Sequence, residues 1–127
     1  MDKILAEISA GELFDKITIL EIKKAKISNK EKLNDIEREL SSLKETVKKF
    51  IPDQSNISKY IDDLKNINLR LWDIEDGKRA AEKNKDFGDN FIELARNVYK
   101  FNDERAKIKL AINISLGSNI KEVKSYE

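Results

Sequence analysis

The chain has 127 residues, 39% of them charged, yet 25 Lys and Arg nearly balance 24 Asp and Glu to leave +1. That balance speaks against a dedicated nucleic-acid binder, whose affinity rests on a clear basic excess, and against an acidic disordered tail. The absence of Cys and His excludes disulfides, thiolate nucleophiles, Ser-His-Asp triads and the common zinc sites, so any chemistry falls to carboxylates, Lys, Arg, Tyr or hydroxyls.

A chain of this size is expected to form one domain, 1–127, with a core of its own. One Pro and four Gly among abundant Ile, Leu, Lys and Glu is the composition of long helices. Residues 1–8 read as a short, mostly apolar lead-in without the shape of a signal peptide. Ser9-Ala10-Gly11-Glu12 reads as a capping box, in which a Ser oxygen serves the first free amides and a Glu three residues on returns to the cap. Ile8 and Leu13 stand at the spacing of a hydrophobic staple, and a helix is expected over about 10–27. Ser28-Asn29-Lys30-Glu31 repeats the capping signature and opens a second helix, about 29–51. Its apolar positions Leu33, Ile36, Leu40, Leu43, Val47 and Phe50 follow an unbroken 3-4 spacing.

Pro52 and the polar residues after it end that helix. A third helix is expected over about 57–83, carrying Ile57, Tyr60, Leu64, Ile67, Leu71 and Ile74 at the same spacing. After a break at 84–88, a fourth is expected over about 89–116 through Phe91, Leu94, Val98, Phe101, Ile108 and Ile112. Gly117 stands where a helix end favours positive φ, and 117–127 read as a tail. Short connections make successive helices antiparallel neighbours. The expected fold is all-α, an antiparallel bundle of about four helices built as two helical hairpins. No apolar run approaches the ~20 residues that span a bilayer, so a cytoplasmic protein without membrane contact is the default reading.

Placing residues every 100° around each helix axis shows polar side chains inside the apolar arcs. On the first helix Glu21 falls within the arc of Leu13, Phe14, Ile17, Leu20 and Ile27, and Thr18 lies at its margin. On the third, Asn68 and Glu75 fall inside, with Trp72 on the flank. On the fourth, Asn102, Arg105 and Lys109 run down the centre at i, i+3, i+7. A buried charge costs several kcal/mol unless paired, and this set could satisfy itself: pairing the last two helices about their loop brings Asn68 level with Asn102 and Glu75 near Arg96 and Tyr99. In a bundle such residues fix register or oligomer state, or they snorkel to water. They also form a candidate ligand pocket of Glu21, Glu75, Asn102, Arg105 and Lys109.

Two enzyme chemistries can be set against the sequence. Magnesium-assisted hydrolysis of a nucleotide needs carboxylates three apart on neighbouring helices. The chain offers Glu12-x-x-Asp15 and Asp73-x-x-Asp76, both toward the solvent side of their wheels, where a solvated acidic face is the simpler account. A chorismate-mutase-like bundle needs several cations converging on a dianion. Lys16, Lys24, Arg96, Arg105 and Lys109 are the available suppliers, but the Arg-rich opening helix of those enzymes is missing. Lys23, Lys24, Lys26, Lys30 and Lys32 cluster around the first turn as a basic tip, which a solvated hairpin end explains equally well.

Residues 9–23, Ser-Ala-Gly-Glu-Leu-Phe-Asp-Lys-Ile-Thr-Ile-Leu-Glu-Ile-Lys, resemble the opening of a family of short all-helical bacterial and phage proteins without an assigned activity. The likeness continues at Leu71-Trp72-Asp73-Ile74-Glu75-Asp76, at 91–99, at Asn102-Asp103 with Arg105 and Ala106, and at Lys124-Ser125-Tyr126. The resemblance covers almost the whole chain and implies a complete protein. It carries no catalytic role, but it directs attention to Gly11, Glu12, Asp15, Lys16, Thr18, Glu21 and Lys23, and to Arg96, Asn102, Asp103 and Arg105. The function expected is a non-enzymatic helical interaction module that self-associates, with no cofactor or metal and a second copy of itself as partner. The alternative is a small enzyme or ligand-binding protein for a phosphorylated or carboxylated metabolite, with or without metal assistance.

Overall fold

Ser9 starts the first helix as its spacing requires, its Oγ accepting from the Glu12 amide at 3.1 Å. The computed structural model describes residues 1–118, so the expected tail from 119 onward, including Lys124-Ser125-Tyr126, lies outside the described residues. Helix α1 spans Ala10–Lys26, α2 Lys30–Phe50, α3 Ser58–Lys83 and α4 Asp89–Leu116. The capping box of α1 is only half made: Glu12 turns instead to Lys109 on α4. The staple is also absent, since Ile8 is exposed while Leu13 is buried. Asn29, and not Ser28, caps α2, accepting from the Lys32 amide at 3.0 Å. Beyond α2, Asp53 accepts from both the amide and the hydroxyl of Ser55, which turns the chain without any side-chain cap on α3. Gly117 ends α4 at φ 63°, a left-handed conformation that only glycine adopts without strain.

The fold is all-α, and both expected hairpins form. Their relation is less symmetric than a four-cornered bundle. α3 and α4 lie along each other over most of their length, α1 packs against all three other helices, and among the described helices α2 packs against α1 alone. Because α1 is the helix that everything touches, the main core gathers around it. Leu13, Phe14, Ile17 and Leu20 meet Ile36, Leu40 and Val47 of α2, with Ile57, Leu64 and Ile112 closing the cluster. Phe50, the last residue of the α2 stripe, departs from expectation and is 69% exposed. With 21 residues against 17, α2 outruns α1, so among the described residues its final turn has no helical partner opposite.

Candidate functional site

The row Gly11, Asp15, Thr18 and Ile22 repeats at 4-3-4 spacing along one side of α1, and all four residues are buried. This row meets the α3–α4 hairpin. At its start the Gly11 amide donates to Asn113 Oδ1 at 2.6 Å, and the neighbouring Ala10 amide donates to Ser118 Oγ at 3.2 Å. Two of the amides that a helix leaves unpaired at its beginning are therefore served by α4 and the residues just after it. A Cβ on Gly11 would stand 2.5 Å from the Lys109 carbonyl oxygen, so only glycine allows the two backbones this close.

One turn further, Asp15 is 1% exposed. Arg105 of α4 grips it with two hydrogen bonds, Nε to Oδ1 at 2.9 Å and Nη2 to Oδ2. Asn68 of α3 donates to the same Oδ1 at 2.9 Å and to Thr18 Oγ1 at 2.9 Å, and the Thr18 hydroxyl donates to the Asp15 carbonyl. Lys109 donates to Glu12 at 2.8 Å and lies 3.8 Å from Asp15. Asn102 accepts from Arg105 Nη1 at 3.4 Å. Charges and amides from three helices thus converge on one buried carboxylate. Among the described residues, every buried side-chain nitrogen and oxygen has a hydrogen-bond partner.

Burial alone would raise the Asp15 carboxyl. The hydrogen bonds from Arg105 and Asn68, with the charges of Arg105 and Lys109, outweigh burial and hold it below its ordinary 3.8. A carboxyl whose pKa falls on folding stabilises the fold above the unfolded value, and that contribution fades as pH drops toward the lowered folded value. The difference in unfolding free energy between wild type and Asp15→Asn will therefore stay constant above about pH 5 and shrink as pH falls below 3.8. Urea unfolding at stepped pH checks this, and a difference independent of pH would show that Asp15 is not ionised in the fold.

The structure brings together three of the five residues expected to line a pocket and separates the other two. Asn102, Arg105 and Lys109 join the cluster on Asp15. Glu21 lies on another part of α1 and pairs with Lys65 at 3.3 Å. Glu75 is exposed and pairs with Lys78 on its own helix. Asn68 and Asn102 reach the same ion pair from opposite sides, as their common level suggests. Helix-wheel reasoning misses Asp15 and Asn113 as inward residues. The Glu12–Asp15 pair, placed toward solvent by the wheel, faces Lys109 and Arg105. Cations of the protein already hold the oxygens that magnesium would need. Of the cations considered for a dianion, Arg105, Lys109 and Lys16 are taken up by the protein's own Asp15 and Glu12, and Lys24 pairs with Glu37 elsewhere.

A different feature stands on the far side of α4. Ile92, Tyr99, Leu110 and Ile114 are 44%, 58%, 40% and 62% exposed. With Arg96, Asp103 and Ala106 they fall on one face at 4-3-4-3-4 spacing from Ile92 to Leu110. Phe87, 52% exposed, sits at the hairpin tip just before this face begins and stacks edge-on against Phe91. No helix among the described residues is long and apolar enough to cross a membrane, so this stripe is not part of a membrane span.

A model of a family of unknown function (DUF6165) matches residues 4–127, and the chain belongs to that family. No curated protein and no solved structure matches.

Proposed function

We propose that this DUF6165 member is a helical interaction module that pairs with a second copy of itself through the outer face of α4. The observation that carries the reading is the exposed stripe of Ile92, Tyr99 and Leu110, which lies on one line of alternating 4-3 spacing on a helix whose opposite side is already covered by α3. An antiparallel pair centred on Phe101 stacks this stripe in layers. Ile92 falls level with Leu110 of the partner subunit, and Arg96 with Ala106 of the partner subunit. Tyr99 falls level with Asp103 of the partner subunit, and Arg96 lies one turn from that same carboxylate. Outside the layers, Glu93 faces Lys107 of the partner subunit, and Phe87 approaches Ile114 of the partner subunit. The arrangement is self-complementary, as a two-fold interface requires. Near the axis Lys100 and Asp103 each approach their own copy: the long exposed stem of Lys100 lets its ammonium turn away, and Arg96 of the partner subunit lies one turn from Asp103. A cytoplasmic setting is in keeping with a chain that carries no cysteine.

The buried polar cluster has a separate role in this reading. Its hydrogen bonds run from α1 to α3 and α4, so it fixes how α1 docks on the α3–α4 hairpin, and assembly falls to the outer face. Sedimentation equilibrium tests the pairing. Wild type is expected at twice the 14.7 kDa chain mass, and Tyr99→Glu at the single-chain mass with an unchanged helical spectrum. A wild type that stays a single chain at tens of micromolar, or a Tyr99→Glu variant that still pairs, would refute this interface.

A further inference from the structure

The α1–α2 hairpin leaves a second feature that the pairing does not use. Between α1, the last turns of α2 and the start of α3 lies a cleft of about 370 Å³, within the range of roughly 300–1,000 Å³ typical of small-molecule sites. Its floor is apolar, made by Phe14, Ile17, Val47 and Ile61. Lys44 and Lys48 stand on its rim, one helical turn apart on the same side of α2. Neither has an ion-pair partner among the described residues. On the opposite rim Glu21 is already held by Lys65 at 3.3 Å.

This combination selects a ligand class. An apolar floor stabilises a hydrocarbon or aromatic body by removing it from water. Two ammonium groups a turn apart, with no carboxylate of their own, offer charge-assisted hydrogen bonds to one anionic head. The Glu21 carboxylate across the cleft opposes a second negative charge, which disfavours a dianionic phosphate relative to a single carboxylate. We infer that the cleft between α1, α2 and the start of α3 binds a monocarboxylate with an apolar body, its head on Lys44 and Lys48 and its body on Phe14, Ile17, Val47 and Ile61.

The site lies on α1 and α2, away from the outer face of α4, so its failure and the failure of the pairing are read separately. The test is a titration of the full chain, followed through its backbone amide resonances, with decanoate below its micellar concentration. Decanol serves as the uncharged control with the same body, and decyl phosphate as the dianionic one. Saturable shifts are expected at residues 14, 17, 47 and 61, with decanoate binding at least tenfold tighter than either control. In Lys44→Ala/Lys48→Ala, both exposed positions whose loss leaves the core intact, that preference for decanoate over decanol should disappear. A cleft-filling variant, Ile61→Phe, should lose binding of all three. Equal binding of decanoate and decanol would overturn the proposal, as would an unchanged preference in the lysine variant. Shifts confined to the α4 stripe, or no saturation at all, would overturn it too.

Discussion

Replacing Asp15 with Ala will lower the unfolding free energy by about 3 kcal/mol, the lower end of the cost of removing one partner from a buried ion pair. The lower end applies because the Arg105 side chain keeps 29% of its surface and can turn part of its charge to water. The loss arises less from the missing attraction than from what remains: a guanidinium and the Asn68 amide still desolvated between helices, with no carboxylate between them. In a domain of this size about 3 kcal/mol is a large part of the total and lowers the melting midpoint by roughly 10 °C. Replacing both charges, Asp15→Leu with Arg105→Met, should recover much of the deficit, since a packed apolar pair no longer carries a stranded charge. Thermal and urea unfolding of the three proteins checks this. A single variant as stable as wild type would mean that the cluster does not hold α1 in place.

Gly11→Ala will lower stability by about 2–3 kcal/mol, against the usual direction for glycine in a helix, where Ala gains up to about 1 kcal/mol. The added carbon would stand 2.5 Å from the Lys109 carbonyl oxygen and 3.0 Å from Asn113 Oδ1. The first is backbone and cannot swing aside, so α1 must lift from α4 and lose the Gly11–Asn113 hydrogen bond. Gly77→Ala provides the contrast. Its new carbon first meets the ends of Leu94 at 3.3 Å, and a flexible side chain yields, so the change stays within about 1 kcal/mol of wild type. Amide exchange separates the two cases: protection in α1 falls in the Gly11 variant and holds in the Gly77 variant. A neutral Gly11→Ala would contradict the close approach.

These two residues also show where the sequence can be read and where it cannot. Helix limits and hairpins follow from 3-4 spacing, two caps and one Pro, all local signals, and they agree with the structure to within a residue or two at most ends. On α4, which buries one side against α3 and α1, a single arc exists, so Asn102, Arg105 and Lys109 stand out as polar residues inside it. On α1 the helix wheel fails for a physical reason. A helix touched by three others has more than one buried side, and the most apolar arc, toward the main core, hides the second. Asp15 and Thr18 belong to that second side, where small or polar Gly11, Asp15 and Thr18 run into Ile22 at 4-3-4 spacing. That spacing is the signal the sequence offers. Glu75 errs in the opposite direction: its arc on α3 is apolar, but the side chain is exposed and meets water. Which helix covers which is a property of tertiary length and position, and no single helix wheel contains it.

The pairing of α4 with its own copy is the central claim, and cysteine cross-linking tests it most directly because the chain has no cysteine to interfere. Ile92→Cys and Leu110→Cys proteins would be prepared separately, then mixed and oxidised under mild conditions. In the antiparallel register the two positions meet only across the pair, so the mixture should form a cross-linked dimer while each protein alone stays largely uncross-linked. A mixture that cross-links no better than its components would contradict the proposed interface, and rapid cross-linking of either protein alone would contradict its antiparallel register.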